Sequence, residues 1–369
     1  MEEVFVTEDE QPIFTDADPP LREQAGRVVE ERRRLGLEGL VGGLAAIVVN
    51  TEPDHLRPAV EELLSLTGYG FDSAFEDAAR LWCVLTCTGS ADVIVQARKD
   101  PSNPFRQFSD YPKVRSLPHT RLETFLFETP NLEAYSEIQR GRGLEFGGEI
   151  RREGRFRMLQ TPPLDLVGIS YGFIEWTGER GQYRGGDAQP LPWRVEKPQK
   201  PWLDDVGLLD HAATRVRARD RDPAILQFMT YTNYNFDFSI YVPPLNSITN
   251  VARMPGAEFA LVFTSGIRPF ENIETAGPTE KFIYNYGPRV HHVAFRTDGI
   301  ESTFERLKAD GVEFLSGLVG GPEEGLHQAF TTTSPNTLLV TEYIHRYAGF
   351  DGFFTRSNVA QLTEATARQ

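Results

Sequence analysis

Residues 287–317, GPRVHHVAFRTDGIESTFERLKADGVEFLSG, and residues 326–347, LHQAFTTTSPNTLLVTEYIHRY, decide the fold. Val290, His292, Ala294 and Phe295 lie in an apolar run too short for a helix, so it reads as a strand. Thr297-Asp298-Gly299 is expected to cap a helix from Ile300 to about Lys308, which Gly311 stops. Val312-Glu313-Phe314 is expected to open another strand. Gln328–Thr331 and Thr337–Ile344 read as two more, joined by the turn Ser334-Pro335-Asn336. This is one βαβββ unit, with a histidine near the start of its first strand and a glutamate in its last.

The unit occurs twice. A shift of 168 residues lays residues 124–146, TFLFETPNLEAYSEIQRGRGLEF, on residues 292–314 without a gap. Phe127, Thr129, Glu133, Glu137, Gly143, Glu145 and Phe146 then meet identical residues. At nearly the same offset Glu175 falls close to Glu342, whereas Thr124 faces His292. The earlier copy has lost the histidine, and Thr124 and Glu175 read as relics in a half expected to bind no metal.

At 369 residues the chain has room for two domains with cores of their own. A charged N-terminal segment spans 1–38: a loose acidic arm to residue 19, then a surface helix over Pro20–Leu35 whose Glu-Glu-Arg-Arg-Arg run reads as a solvated face. The helix is also a candidate oligomer contact. A first domain follows at 39–183, with strands at Gly42–Val49, Leu81–Thr86 and Val93–Gln96 and a helix over Pro53–Leu66. Residues 184–204 are dense in Gly and Pro and read as a linker, and 205–369 form the second domain. The net charge of −15 excludes a general nucleic-acid binder, which needs a positive face. No apolar run approaches a membrane span and nothing reads as a signal peptide. The two cysteines, Cys83 and Cys87, fit buried packing in a reducing cytoplasm.

Seven histidines are present. His211 and His292 hold the same place in two successive modules, so modules packed about a pseudo-twofold axis bring them together, and Glu342 reaches the same centre. Two imidazoles and one carboxylate leave positions open on a divalent metal, as a non-haem Fe(II) oxygenase requires. A closed zinc site needs a fourth ligand, and no cysteine is placed for it.

At these residues the chain resembles the 4-hydroxyphenylpyruvate dioxygenase family of the vicinal-oxygen-chelate superfamily. Leu209-Asp210-His211, Val290–Phe295 and Thr341–Arg346 look like its three metal motifs. Leu245-Asn246-Ser247, Leu326–Thr331 and Gly352–Val359 resemble its substrate-lining segments and its closing C-terminal helix. The resemblance implies an α+β fold of four tandem βαβββ modules in two domains, each an open barrel-like sheet. It also implies Fe(II), bound by His211, His292 and Glu342. The substrate pocket would be formed by Gln328, Phe330, Ser247, Thr264, Phe354 and Asn358, with Gln328 holding the tail of the substrate.

The implied reaction is oxidative decarboxylation of a 2-oxo acid by O2 and hydroxylation of the remainder of the molecule. With 4-hydroxyphenylpyruvate this gives homogentisate, or a hydroxymandelate when the benzylic carbon is attacked. The chain departs from the family where substrate is recognised. Val262–Ile267 lacks the family's asparagine, glutamines are replaced at His291 and around Pro278-Thr279-Glu280, and Val359 replaces a phenylalanine. A different 2-oxo acid therefore stands beside the aromatic one. Extradiol ring cleavage, which uses the same fold and triad, and non-enzymatic binding are two further functions open to such a chain. The expected setting is cytoplasmic and homo-oligomeric, a dimer or tetramer. His291, adjacent to a ligand on a strand, is expected to point to the opposite face.

Overall fold

The computed structural model describes residues 18–369, so the acidic arm of residues 1–17 lies outside it. Helix α1 (Pro19–Leu35) opens at a proline pair and ends at Gly36, whose φ of +74° releases the chain. In the first half, β1 (Leu44–Thr51), α2 (Leu56–Leu66), β2 (Gly70–Glu76), β3 (Arg80–Thr86) and β4 (Asp92–Arg98) form one βαβββ module. The next comprises β5 (Arg121–Glu128), α3 (Leu132–Gly141), β6 (Arg151–Glu153), β7 (Phe156–Gln160) and β8 (Ser170–Trp176). A short edge strand, β9 (Gln189–Pro190), pairs with β2, so the expected linker also contributes to the sheet.

The second half repeats the plan. Its third module is β10 (Val206–Arg215), α4 (Arg221–Tyr231), β11 (Asn235–Val242), β12 (Ser247–Arg253) and β13 (Ala260–Ser265). Helix α5 (Pro278–Tyr286) leads into the fourth: β14 (Arg289–Thr297), α6 (Ile300–Ala309), β15 (Val319–Gly321), β16 (Leu326–Phe330) and β17 (Val340–Arg346). Helix α7 (Arg356–Ala365) and a 3-10 turn (Thr366–Arg368) follow β17. The strands form a nine-stranded sheet ordered β6-β7-β8-β5-β1-β4-β3-β2-β9 and an eight-stranded sheet ordered β11-β12-β13-β10-β14-β17-β16-β15. In each, two modules join through their first strands, β1 with β5 and β10 with β14, antiparallel.

Periodicity explains the helices. α6 buries Ile300, Thr303, Phe304 and Leu307, and α2 buries Leu56, Ala59, Val60 and Leu64, each a stripe at helical spacing. Ile300 and Leu307 of α6 and the α2 stripe share one large core with the inward residues of both sheets, including Phe127, Tyr171, Phe263 and Tyr343. The opposite sheet faces carry only small apolar clusters, which leaves them free to hold sites.

Several local expectations change. The N-cap of α6 is Gly299 at φ +56°, without a side-chain cap, because the Thr297 hydroxyl turns to the Phe295 carbonyl. Phe314 makes a single bridge to Thr331, and the strand begins only at Val319. The run in α1 is not wholly solvated. Arg32 is buried and donates to the carbonyls of Thr232 and Tyr234, both at 2.8 Å, which pins α1 to the end of α4. Cys83 is buried and Cys87 half-buried, both free, and burial pushes the Cys83 thiol up to about 12. No described helix is long and apolar enough to cross a membrane.

Candidate metal centre

Strands β10, β14 and β17 are neighbours at the middle of the second sheet, and their registers build the centre. His211 lies opposite Ala294, and Ala294 opposite Glu342, so the three form one rung. His292 is two residues from Ala294 on β14 and shares its face. Ala294, the small residue between the ligands, is fully buried against Leu326 and Ile344.

Glu342 Oε2 stands 3.0 Å from His211 Nε2 and 3.2 Å from His292 Nε2. All three side chains are buried, and one donor atom from each lies within 4.8 Å of the others, the one such group among the described residues. His211 Nε2 and Glu342 Oε2 are buried and face each other, and neither has a hydrogen-bond partner outside the triad. Burying polar atoms unmatched is costly, and here two of them face one point. Donors about 2.1 Å from a metal and at right angles to one another are about 3 Å apart, so the spacing fits a facial metal site.

Surrounding groups fix the ligands. Asp210, fully buried, approaches His211 Nδ1 at 2.8 Å. It also accepts two hydrogen bonds from Arg346, at 2.7 and 3.0 Å, and one from Arg296 at 2.9 Å. A proton on Nδ1 leaves Nε2 with a lone pair for a metal. Gln328 Nε2 donates to Glu342 Oε1 at 2.6 Å, and Asn358 donates to Gln328 Oε1 at 2.9 Å. This chain turns Oε2 of Glu342 toward the histidines.

The electrostatics agree. Burial opposes charge on His211, but the Glu342 and Asp210 carboxylates override it and raise the imidazole to about 9. Burial also disfavours ionisation of Asp210, yet its bond to His211 and the Arg346 charge hold the carboxyl far below its usual range. Burial, with His291 and His211 nearby, keeps His292 neutral, well below the ordinary histidine range. The metal-free centre therefore holds one proton where a cation would sit.

A small cavity of about 50 Å³ opens on the ligands. The Phe330 ring lies tilted against His292 at 4.7 Å, and Phe353 and Phe354 pack edge-on against the His211 ring at 5.7 and 5.1 Å. Of the residues expected at the substrate, Gln328, Phe330, Thr264 and Phe354 line the cavity. Ser247 and Asn358 do not. The Ser247 hydroxyl pairs with Thr279 at 3.3 Å, and Asn358 stands behind Gln328. The amide of Gln328 is committed to Glu342, which removes it from the expected role of holding the substrate tail. His291 is buried, with its Nδ1 2.7 Å from Nδ1 of His292 and its Nε2 2.7 Å from Gln369. Sequence reasoning missed Arg215 and Thr249, both in the cavity wall, whereas Thr279 there belongs to the stretch already marked as departing from the family. The only signal for Arg215 was a cation four residues after a ligand on the same strand.

The registers also identify the first half's counterparts. Val48 lies opposite Thr124 and Ala46 opposite Leu126, while Leu126 lies opposite Gly172. The positions of His211, His292 and Glu342 are therefore held by Ala46, Thr124 and Gly172. Glu175 is not the counterpart of Glu342. It pairs with Arg157 and accepts from the Leu132 amide at the start of α3.

No protein-family model matches this chain, and no curated protein matches it in sequence. Solved structures do. A triple mutant of 4-hydroxymandelate synthase from Streptomyces coelicolor superposes with a TM-score of 0.65 at 19% identity, over 89% of this chain and 98% of that one. A fusion of a xylose isomerase-like TIM barrel with 4-hydroxyphenylpyruvate dioxygenase superposes at 0.64 and 16% identity, over 99% of this chain and 61% of the fusion. The chain has their fold, the vicinal-oxygen-chelate fold.

Proposed function

We propose that this protein is a non-haem Fe(II) dioxygenase that oxidatively decarboxylates and hydroxylates a 2-oxo acid, in the manner of 4-hydroxyphenylpyruvate dioxygenase. The observation that carries this reading is the convergence of His211 Nε2, Glu342 Oε2 and His292 Nε2 on one buried point, where His211 Nε2 and Glu342 Oε2 have no partner outside the triad. When bound, Fe(II) supplies the Lewis-acid and redox chemistry that brings O2 and a 2-oxo acid together.

The chain's share is orientation and exclusion of water. Asp210 keeps the proton on Nδ1 of His211, and Arg346 and Arg296 hold Asp210 ionised. Gln328 and Asn358 set the rotamer of Glu342. Phe330, Phe353 and Phe354 form apolar walls that keep water from the reacting atoms. Thr264, Phe330 and Phe354 are assigned to direct substrate contact, and Ser247 acts through Thr279. With 4-hydroxyphenylpyruvate as substrate the product would be homogentisate. The proposed enzyme acts on a small molecule, and its proposed setting is the cytoplasm, as a dimer or tetramer.

The test is anaerobic reconstitution with Fe(II), then simultaneous recording of O2 uptake and CO2 release with a panel of 2-oxo acids. The reading expects one CO2 per O2 with at least one acid and neither gas exchange in His292→Ala. O2 uptake with catechols and no CO2 from any 2-oxo acid would overturn it.

A further inference from the structure

Arg215 ends β10, four residues beyond His211, so their Cα atoms are about 13 Å apart along one strand. Its guanidinium lines the same cavity as the metal ligands and is almost fully buried, at 4% exposure. One nitrogen, Nη2, donates to Thr366 of the C-terminal segment at 2.9 Å, and the group lies over the Phe282 ring at 4.6 Å. Nη1 is buried with no partner, and no carboxylate among the described residues forms an ion pair with this arginine. Arg289, its register partner on β14, turns away to the Thr120 carbonyl. Burial pushes the guanidinium down to about 9, the penalty of a charge without a counterion.

A second unmatched group lies beside it. Arg215 is the register partner of Thr264 on β13, and Thr264 of Thr249 on β12. The Thr264 hydroxyl is also buried without a partner. On β10, β13 and β12 the residues between this polar rung and His211 are apolar, Ala213 with Val262 and Val251, while His292 lies opposite Ala213 on β14. Along β10 the cavity is therefore metal-binding, then apolar, then cationic and hydroxyl-bearing.

We propose that Arg215 and Thr264 form an anion subsite for the far end of the substrate, so that the acid taken is a 2-oxo dicarboxylic acid whose second carboxylate meets the guanidinium. This rests on the 2-oxo-acid reading for the head of the molecule, which the metal would hold. A carboxylate offers acceptors to both Nη1 and the Thr264 hydroxyl, and it supplies the missing counter-charge. A neutral or phenolic tail leaves the guanidinium buried and unpaired, and a site of that kind discriminates strongly. A purely structural Arg215 would clamp the C-terminal segment through Thr366 and affect stability alone.

The test is anaerobic calorimetry on the Fe(II)-loaded and the metal-free protein with matched acids. The pairs are 2-oxoadipate against 2-oxohexanoate, and 4-carboxyphenylpyruvate against 4-hydroxyphenylpyruvate. The dicarboxylates should bind at least about 10-fold more tightly. That ratio should fall to about one in Arg215→Met, survive in part in Arg215→Lys, and shrink in Thr264→Val, a variant that leaves the arginine in place. Equal binding within each wild-type pair overturns the proposal, as does an unchanged ratio in Arg215→Met. The two readings fail separately. If the metal chemistry is wrong, no CO2 appears, yet the Arg215-dependent ratio persists in the metal-free protein. If the anion subsite is wrong, CO2 is released from monocarboxylic acids with no dependence on Arg215.

Discussion

Asp210 is fully buried behind the ligands, bonded to His211 on one side and to two guanidinium groups on the other. Its oxygens are fixed by Arg346 and Arg296, so the imidazole has one orientation and one tautomer available. Asp210→Asn retains the shape but loses the charge that favours a proton on Nδ1. Partners of this kind influence metal affinity by about 10- to 100-fold, and that loss of Fe(II) affinity is expected here. Anaerobic titration of the variant against wild type measures it, with circular dichroism to show that the fold is kept. Unchanged affinity would mean that Asp210 serves only the arginines.

Two elements depend on interactions that hydrophobic patterning does not reveal. Helix α1 is held to the second half of the chain by Arg32, whose guanidinium occupies carbonyls at the end of α4 and also bonds Asn235. Arg32→Ala leaves those buried acceptors unmatched and is expected to cost about 2–4 kcal/mol, read as a lower urea midpoint. A loss under about 0.5 kcal/mol would show that water replaces the guanidinium. At the start of β4, burial raises the Asp92 carboxyl to about 6, against the opposing effect of the Tyr183 hydroxyl bond. A folded value above the unfolded one means that stability is greatest below the unfolded pKa and is lost as pH rises through about 6. Allowing for partial exposure, the loss is on the order of 2 kcal/mol, and Asp92→Asn is expected to recover it at pH 8 and not at pH 4. Urea unfolding at both values decides, and equal shifts at both would contradict the assignment.

Across the described residues, one βαβββ design occurs four times, and only the second sheet carries the His-His-Glu rung proposed to hold a metal. In the first sheet Ala46, Thr124 and Gly172 stand in its place, and a Cβ on Gly172 would meet Leu126 Cδ1 at 2.8 Å and Thr124 Cγ2 at 3.1 Å. Thr124→His is therefore expected to leave metal stoichiometry at one per chain, and a second equivalent bound tightly would contradict this. The repeat and the grouping of the triad were legible in sequence because alternating strands and amphipathic helices write themselves into residue order, and His211 and His292 sit at matching places in two modules, with Glu342 on a last strand. The counterpart of Glu342 was not legible. Thr124 pairs with Ser170 as His292 pairs with Val340, so the offset at the last strand is 170 and not 168, and only register reveals such a slip. Arg32 and Arg215 were hidden for a different reason. A charged residue reads as solvated until the carbonyls or the cavity it faces have been located in space.

The central claim is that three side chains from three adjacent strands form one site for a divalent metal. The most direct measurement is an anaerobic calorimetric titration of metal-free protein with Fe(II), with proton release followed in buffers of different ionisation enthalpy. The account predicts one equivalent bound, release of the proton held at His211, and loss of binding in His211→Ala and in Glu342→Ala. Unchanged binding in those two variants, or no Fe(II) bound by the folded wild type, would contradict it.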